Sequence, residues 1–141
     1  VKLNSIMARL VDEVPSFRLV GGAAEFERAA NALAALPAAF VLPATDTAEE
    51  NNFMGQLVQQ KVTLRFAVLI AARNLADDEG AAAVESLEPL RAAVRDALLN
   101  WRPDGADDGC EYANGSLVAF TNGTLWWQDF FTTTYIIRSA T

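Results

Sequence analysis

Residues 56–73 read Gln56-Leu-Val-Gln-Gln-Lys-Val-Thr-Leu-Arg-Phe-Ala-Val-Leu-Ile-Ala-Ala-Arg73. From Val58 to Ala72 the even positions are Val58, Gln60, Val62, Leu64, Phe66, Val68, Ile70 and Ala72, all apolar but Gln60. That period of two is the signature of a strand with one buried face. The odd positions begin polar (Gln59, Lys61, Thr63, Arg65) and turn apolar (Ala67, Leu69, Ala71). The first half of the strand is therefore expected to keep one wet face, and the second half to be covered on both. At ~3.3 Å per residue the stretch spans roughly 59 Å. A compact domain of this chain length is only about 37 Å across. Such a strand bends or reaches beyond its own globule, and unpaired strand edges attract a partner.

Composition narrows the classes. The chain has 141 residues, one domain's worth over residues 1–141, and 52% hydrophobic residues supply a core. The longest apolar run, Phe66 to Ala72, is far short of the ~20 residues of a membrane helix. The start, Val1-Lys-Leu-Asn-Ser5, leads into an amphipathic pattern rather than a signal core, which gives the expectation of a cytoplasmic protein. Cys110 is the single cysteine, so no intrachain disulfide forms, and histidine is absent. The usual histidine-activated nucleophiles and imidazole metal ligands are thereby excluded. A net charge of −7 argues against a general phosphate-binding surface. Lys61, Arg65 and Arg73 do fall on one strand face, read as a solvated sheet surface.

Helices are expected over Leu3–Val14, stopped by Pro15, and over Ala23–Leu36, where Phe26, Ala29, Ala30, Leu33 and Leu36 share a side and Pro37 ends the run. Phe17–Val20 reads as an edge strand or a packed loop. Ala38–Leu42, between Pro37 and Pro43, reads as a short buried strand, followed by an acidic polar loop over Ala44–Phe53. Asp77, Asp78 and Glu79 stand where their charges favour the start of a third helix, about Gly80–Asn100. Its apolar stripe is Ala83, Val84, Leu87, Leu90, Val94, Ala97, Leu98 and Trp101, with Glu88, Arg91 and Arg95 placed away from the stripe's centre; Pro89 predicts a kink or a two-part helix near Leu87. After a Gly- and Asp-rich loop over Arg102–Ala113, strands Gly115–Phe120 and Leu125–Arg138 flank the hairpin signal Asn122-Gly123. The last strand is also overlong, so it is a candidate to pair with the first long one. The fold class is α+β: a small mixed or mostly antiparallel sheet of about four strands, helices packed on one face, and a long projecting β-hairpin.

Side chains suited to chemistry are sparse. Asp104, Asp107, Asp108 and Glu111 crowd one loop but lack the spacing of a calcium loop, and read as solvated acids. The same holds for Asp77, Asp78 and Glu79. Cys110 has no histidine to activate it and reads as an inert thiol. Gly21-Gly22, Gly105, Gly109 and Gly115 match neither phosphate-loop nor dinucleotide spacing. Trp126 and Trp127, adjacent in a strand, point to opposite faces and cannot form one stacking platform for bases. No catalytic, cofactor or metal residue is assigned.

Four segments together resemble the small tail terminator proteins of long-tailed bacteriophages and prophages, particularly the group from phages resembling Mu. They are Leu36-Pro-Ala-Ala-Phe-Val-Leu-Pro43; Gln60-Lys-Val-Thr-Leu-Arg-Phe-Ala-Val68 with Ala72-Arg-Asn74; Asp77-Asp-Glu-Gly80 leading into Leu87-Glu-Pro-Leu-Arg91 and Ala97-Leu-Leu-Asn-Trp101; and Trp127-Gln-Asp-Phe-Phe131. These are structural segments whose order and spacing carry the likeness, from Leu36 onward. The resemblance implies a structural protein without catalysis or cofactor. It implies subunits in a ring, typically a hexamer, that caps the head-proximal end of the tail tube, halts tube polymerisation and meets the head-completion or connector proteins. Its partners would be itself, the tail tube protein and those head-side proteins, with no membrane and no specific nucleic-acid binding. Its place would be the host bacterial cytoplasm during assembly and then the virion tail. The expected ring or tube contacts are Asn51, Asn52, Phe53, Gln59, Lys61, Thr63 and Arg65, because the early half of the long strand lacks a covering layer. The alternatives are another tail-joining or generic interaction adaptor, and an enzyme with a carboxylate pair among Asp77, Asp78, Asp104 and Asp108. The enzyme would need two carboxylates fixed in a cleft, which polar loops hold poorly.

Overall fold

The computed structural model describes residues 1–31, 35–53, 55–73, 81–121 and 123–140; the helical residues 30, 31 and 81–84 are described for their backbone only. The elements run α1 (Leu3–Glu13), β1 (Leu19–Gly21), α2 (Ala23–Asn31), β2 (Ala38–Ala48), β3 (Gln59–Arg73), α3 (Ala81–Leu98), β4 (Glu111–Thr121) and β5 (Thr124–Arg138). The strands form one sheet in the order β1-β2-β3-β5-β4. Only β1 and β2 are parallel; the other pairs are antiparallel.

The long strand is its axis. β3 pairs with β5 without a register break, from Gln59 opposite Arg138 to Arg73 opposite Thr124. The two overlong strands do pair with each other. On β3's even face Val62, Leu64, Phe66, Val68, Ile70 and Ala72 are buried in one cluster with Ile6 and Leu10 of α1, Leu87, Leu90, Val94 and Leu98 of α3, and Phe131 of β5. On the odd face Leu69 joins Ala38, Phe40 and Ala29, with Phe26 and Trp126 packed against them. The expectation of one wet face in the first half and two covered faces in the second is met: Lys61 is exposed, while Ala67, Leu69 and Ala71 are all buried. Phe40, Phe66 and Phe131 are wholly enclosed, and truncating any one to alanine would cost ~3–5 kcal/mol.

Several expectations change. The sheet has five strands rather than about four, because Leu19–Gly21 pairs in parallel with Ala38–Phe40. Three residues are too few to show a period, so this segment could not be told from a loop. The helices do not share one face: α1 and α3 pack on the even side of β3, and α2 on the odd side. The pairwise alternation of Ala38 with Ala39, Phe40 with Val41 and Trp126 with Trp127 supplies apolar groups to both. β2 does not stop at Leu42 but continues to Ala48, with Pro43 at a register shift before Thr45. A proline is accommodated at such an irregularity. β4 begins at Glu111, inside the expected loop. The β4–β5 hairpin does not project as a free arm, because β5 lies against β3 for its whole length and Thr121, Thr124 and Arg73 end level. Gly123 in the turn has φ 75, a left-handed value suited to glycine. β3 itself starts at Gln59 rather than Gln56. α3 runs as one helix through Pro89 from Ala81 to Leu98, instead of splitting in two. Leu33, Asn74, Asp77, Asp78, Glu79, Gly80 and Asn122, with the readings attached to them, lie outside the described residues.

Candidate functional site

Alternation along β3 puts Gln59, Lys61, Thr63 and Arg65 on the odd face, as the sequence indicated. Register then adds Thr132, Thr134, Ile136 and Arg138 of β5 and Thr45 and Thr47 of β2 to the same surface. The cluster beneath α2 extends along the sheet only to Leu42, Leu69 and Trp126. Beyond it this face is polar, rich in threonine, and carries Lys61, Arg65 and Arg138.

The side chains there are braced against one another. Arg65 lies over the Phe130 ring, 4.4 Å from its centroid, and donates to the Asn114 side chain on β4. It thus ties three strands together, so Arg65 is partly a structural residue. Arg138 Nε donates to Gln59 Oε1 at 2.9 Å. Lys61 Nζ stands 3.6 Å from Asp108 Oδ2, which also accepts from Thr134 Oγ1 at 2.6 Å. That hydrogen bond, with help from Lys61, holds the Asp108 carboxyl below the usual carboxylate range. On the other face Tyr135 donates to Asp46 at 2.8 Å, linking β5 to β2 across β3 and pushing the phenol's pKa up.

The β2–β3 loop closes this end. Asn51 organises it: its Oδ1 accepts from the backbone N–H of Phe53 (3.2 Å) and Gln59 (3.0 Å), and its Nδ2 donates to Leu57 O (3.0 Å). All three loop residues singled out are exposed, and Asn51 differs from Asn52 and Phe53 in that its side chain is engaged in holding the loop. Leu57 and Val58, not singled out from sequence, are exposed beside Phe53 at 51% and 39%. Alternation had placed Val58 on the buried face; it is exposed instead because the strand begins one residue later, at Gln59.

The acidic loop works as a brace. Asp104 accepts from Lys2 N through its backbone oxygen at 2.8 Å, and Asp107 N donates to Thr134 O at 2.7 Å. Cys110 is 2% exposed, and burial pushes its thiol up to about 12, far from a reactive thiolate. Trp126 packs edge-on to Phe26 in the α2 layer, whereas Trp127 stacks beneath Arg91 in the other layer, as opposite-face placement required. No helix among the described residues is long and apolar enough to cross a membrane.

One polar centre escaped the sequence reading. Asp129, 0% exposed in the middle of β5, accepts from Arg91 Nε (3.1 Å) and Nη2 (3.0 Å), Trp127 Nε1 (2.9 Å) and Tyr112 OH (3.2 Å). Arg91, expected away from the centre of the apolar stripe, nonetheless reaches the sheet; it lies four residues after Leu87, on the buried side. Its carboxylate partner raises the guanidinium pKa still further. β4 crosses the carboxylate at Gly115, where an added Cβ would sit 2.4 Å from Asp129 Oδ1 and 2.6 Å from Tyr112 OH. The centre fastens α3 to the β4–β5 hairpin and is wholly satisfied internally, which marks it as structural.

Compared with known proteins, the chain matches the family model described as phage tail terminator protein over residues 1–141, its full length. A search of curated proteins finds no match.

Proposed function

This chain belongs to the phage tail terminator protein family, and from that premise we propose that it caps the head-proximal end of the tail tube and halts tube polymerisation. In this reading it is a structural protein of the virion tail, one terminator domain over residues 1–141, of the group from phages resembling Mu. It acts as a ring of identical subunits, a hexamer, assembled in the host cytoplasm. One side of the ring meets the tail tube protein and the other the head-completion or connector protein. It has no catalytic role and needs no cofactor.

The observation that supports this most is the threonine-rich sheet face beyond α2, bounded by a loop that exposes Phe53, Leu57 and Val58. A lone domain gains nothing by leaving this half of the odd face without a helix over it, whereas an assembling subunit gains contact area. Gln59, Lys61, Thr63 and Arg65, with Asn52 and Phe53, make ring or tube contacts, and Asn51 sets the loop's shape. The test is addition of the purified protein to polymerising tail tube protein. Expected are tubes of limited length and annular particles with a central hole by negative stain. Unchanged tube lengths together with an absence of annular particles would refute the proposal.

A further inference from the structure

The two ends of the long strand carry apolar features that match each other. At the β2–β3 end, Asn51 gathers a small loop on which Phe53, Leu57 and Val58 are exposed. At the opposite end a groove of about 260 Å³ opens on the odd face beside α2. Among the described residues it is lined by Phe26, Leu69, Val118, Ala119, Thr121 and Trp126, none of them charged. Val118, which the register shift between Leu117 and Ala119 leaves without a partner on β5, is 49% exposed there. An apolar cavity of roughly 150 Å³ already admits benzene, so the groove has room for the Phe53 ring. Charge matches as well. Glu49 and Glu50 lead into the loop, while Arg73 stands in one row with Thr124 and with Thr121 of the groove, and all three charged residues are exposed. None of the three makes an ion pair among the described residues.

We propose that the loop bearing Phe53, Leu57 and Val58 on one copy seats in the Phe26–Trp126 groove of the next, with Glu49 and Glu50 brought toward Arg73. The occupant is a second copy because the chain carries a plug of matching shape and charge that its own groove cannot receive. The loop ends at Gln59, whereas the groove is level with Ala71, opposite Trp126. Twelve residues of strand, roughly 40 Å, separate the two. The patches differ, which makes the contact heterologous, and such a contact closes into a ring when the rotation divides a full turn. Closure also sets the orientation. Plug and groove must share one height and one radius about the ring axis, so the line joining them, which follows the strands, lies in the plane of the ring. The strands then run along the circumference. Six copies with chords of ~40 Å place the contacts on a circle roughly 80 Å across. The inference rests on the ring reading and deepens it: it names the two surfaces that join subunits and leaves the threonine-rich face for the tube.

Single-cysteine additions at the two exposed positions test it, since Cys110 is buried and its thiol is un-ionised at neutral pH. Phe53→Cys and Val118→Cys variants are mixed, with and without tail tube protein, and treated with a short bismaleimide; circular dichroism confirms that they fold. A covalent dimer on denaturing gels is expected in the mixture and in neither variant alone, and a ladder is expected when both substitutions share a chain. Phe53→Ser should weaken self-association by roughly tenfold or more, through the loss of one buried aromatic side chain. An oligomer by native mass spectrometry that gives no mixed crosslink overturns the plug-and-groove contact and leaves the ring reading standing. So does protection of Val118→Cys from a maleimide by tube protein without a mixed crosslink, which assigns the groove to that partner. Monomers throughout, with and without tube protein, overturn both.

Discussion

Replacing Asp129 with asparagine keeps the shape of the side chain and removes its charge, which isolates the buried ion pair as a source of stability. Four donor contacts converge on this carboxylate, two of them from Arg91. In Asp129→Asn the amide nitrogen faces guanidinium hydrogens, and Arg91 loses its buried counter-charge. Breaking a buried pair from one side costs ~3–5 kcal/mol. Here Arg91 keeps Glu88 at 3.1 Å, and its side chain is 15% exposed, so water and a second carboxylate relieve part of the loss. The lower end, about 3 kcal/mol, is expected. Against a total of roughly 5–15 kcal/mol this is a large fraction, and it lowers Tm by about 10 °C for a chain of this length. Urea unfolding at pH 7 measures it directly, with Arg91→Met and the double variant closing a thermodynamic cycle. The double variant should cost less than the sum of the singles by ~1 kcal/mol or more. A loss under ~1 kcal/mol for Asp129→Asn, or singles that add within ~0.5 kcal/mol, would show that α3 is not fastened to the hairpin through this pair.

Gly115→Ala drives a methyl into the same carboxylate and should destabilise by ~1–3 kcal/mol; wild-type stability in urea would disprove the close approach of β4 to Asp129. Native Cys110 should resist a thiol reagent at pH 8 and react on unfolding. Because its folded pKa is raised, its contribution is full below the unfolded pKa near 9 and is lost as pH rises toward about 12, so a Cys110→Ala variant should show a shallower loss of stability over that window. Asp108 and Glu25, held low by Thr134 and by the Gly22 N–H respectively, contribute above the ordinary carboxylate range. Their contribution should disappear as pH falls through the lowered values, and a Tm flat between pH 5 and pH 2 would contradict this. Lys61→Glu reverses an exposed charge on the threonine face and should weaken ring or tube association by roughly tenfold while leaving Tm within ~2 °C, since exposed pairs are worth little to folding; unchanged association by sizing and tube-length assays would remove that face from the contact.

Much of this architecture is legible in residues 56–73, because a period of two broken only at Gln60, and apolar on both faces from Phe66, forces the neighbouring layers into place. The switch from Lys61 and Arg65 to Ala67 and Leu69 correctly marked where the second face becomes covered. Signals spread across the chain were harder to see. β1 is three residues long, and the continuation of β2 past Pro43 reads locally as a break. The placement of α2 on the opposite face depends on Phe26 meeting Phe40 and Trp126, residues far apart in sequence. Arg91 looked like a surface residue because charge outweighed position, yet its spacing from Leu87 and an aspartate amid the aromatics of β5 were both visible. At the candidate site, alternation identified the shared face of Gln59, Lys61, Thr63 and Arg65 but not the bracing of Arg65 by Asn114 and Phe130, which only strand register brings together.

The unbroken ladder between β3 and β5 has a mechanical consequence. Fifteen residues of β3 each face a partner on β5, with no bulge to concentrate strain. A pull along the strands loads these rungs together, in shear, and none can yield far ahead of the rest. A pull across them would open the rungs in succession, at much lower force. The molecule therefore has a stiff direction, running from the Asn51–Val58 loop to the Gly123 turn, and a compliant one at right angles to it. A junction that must bear tension should be mounted with its load on the stiff axis.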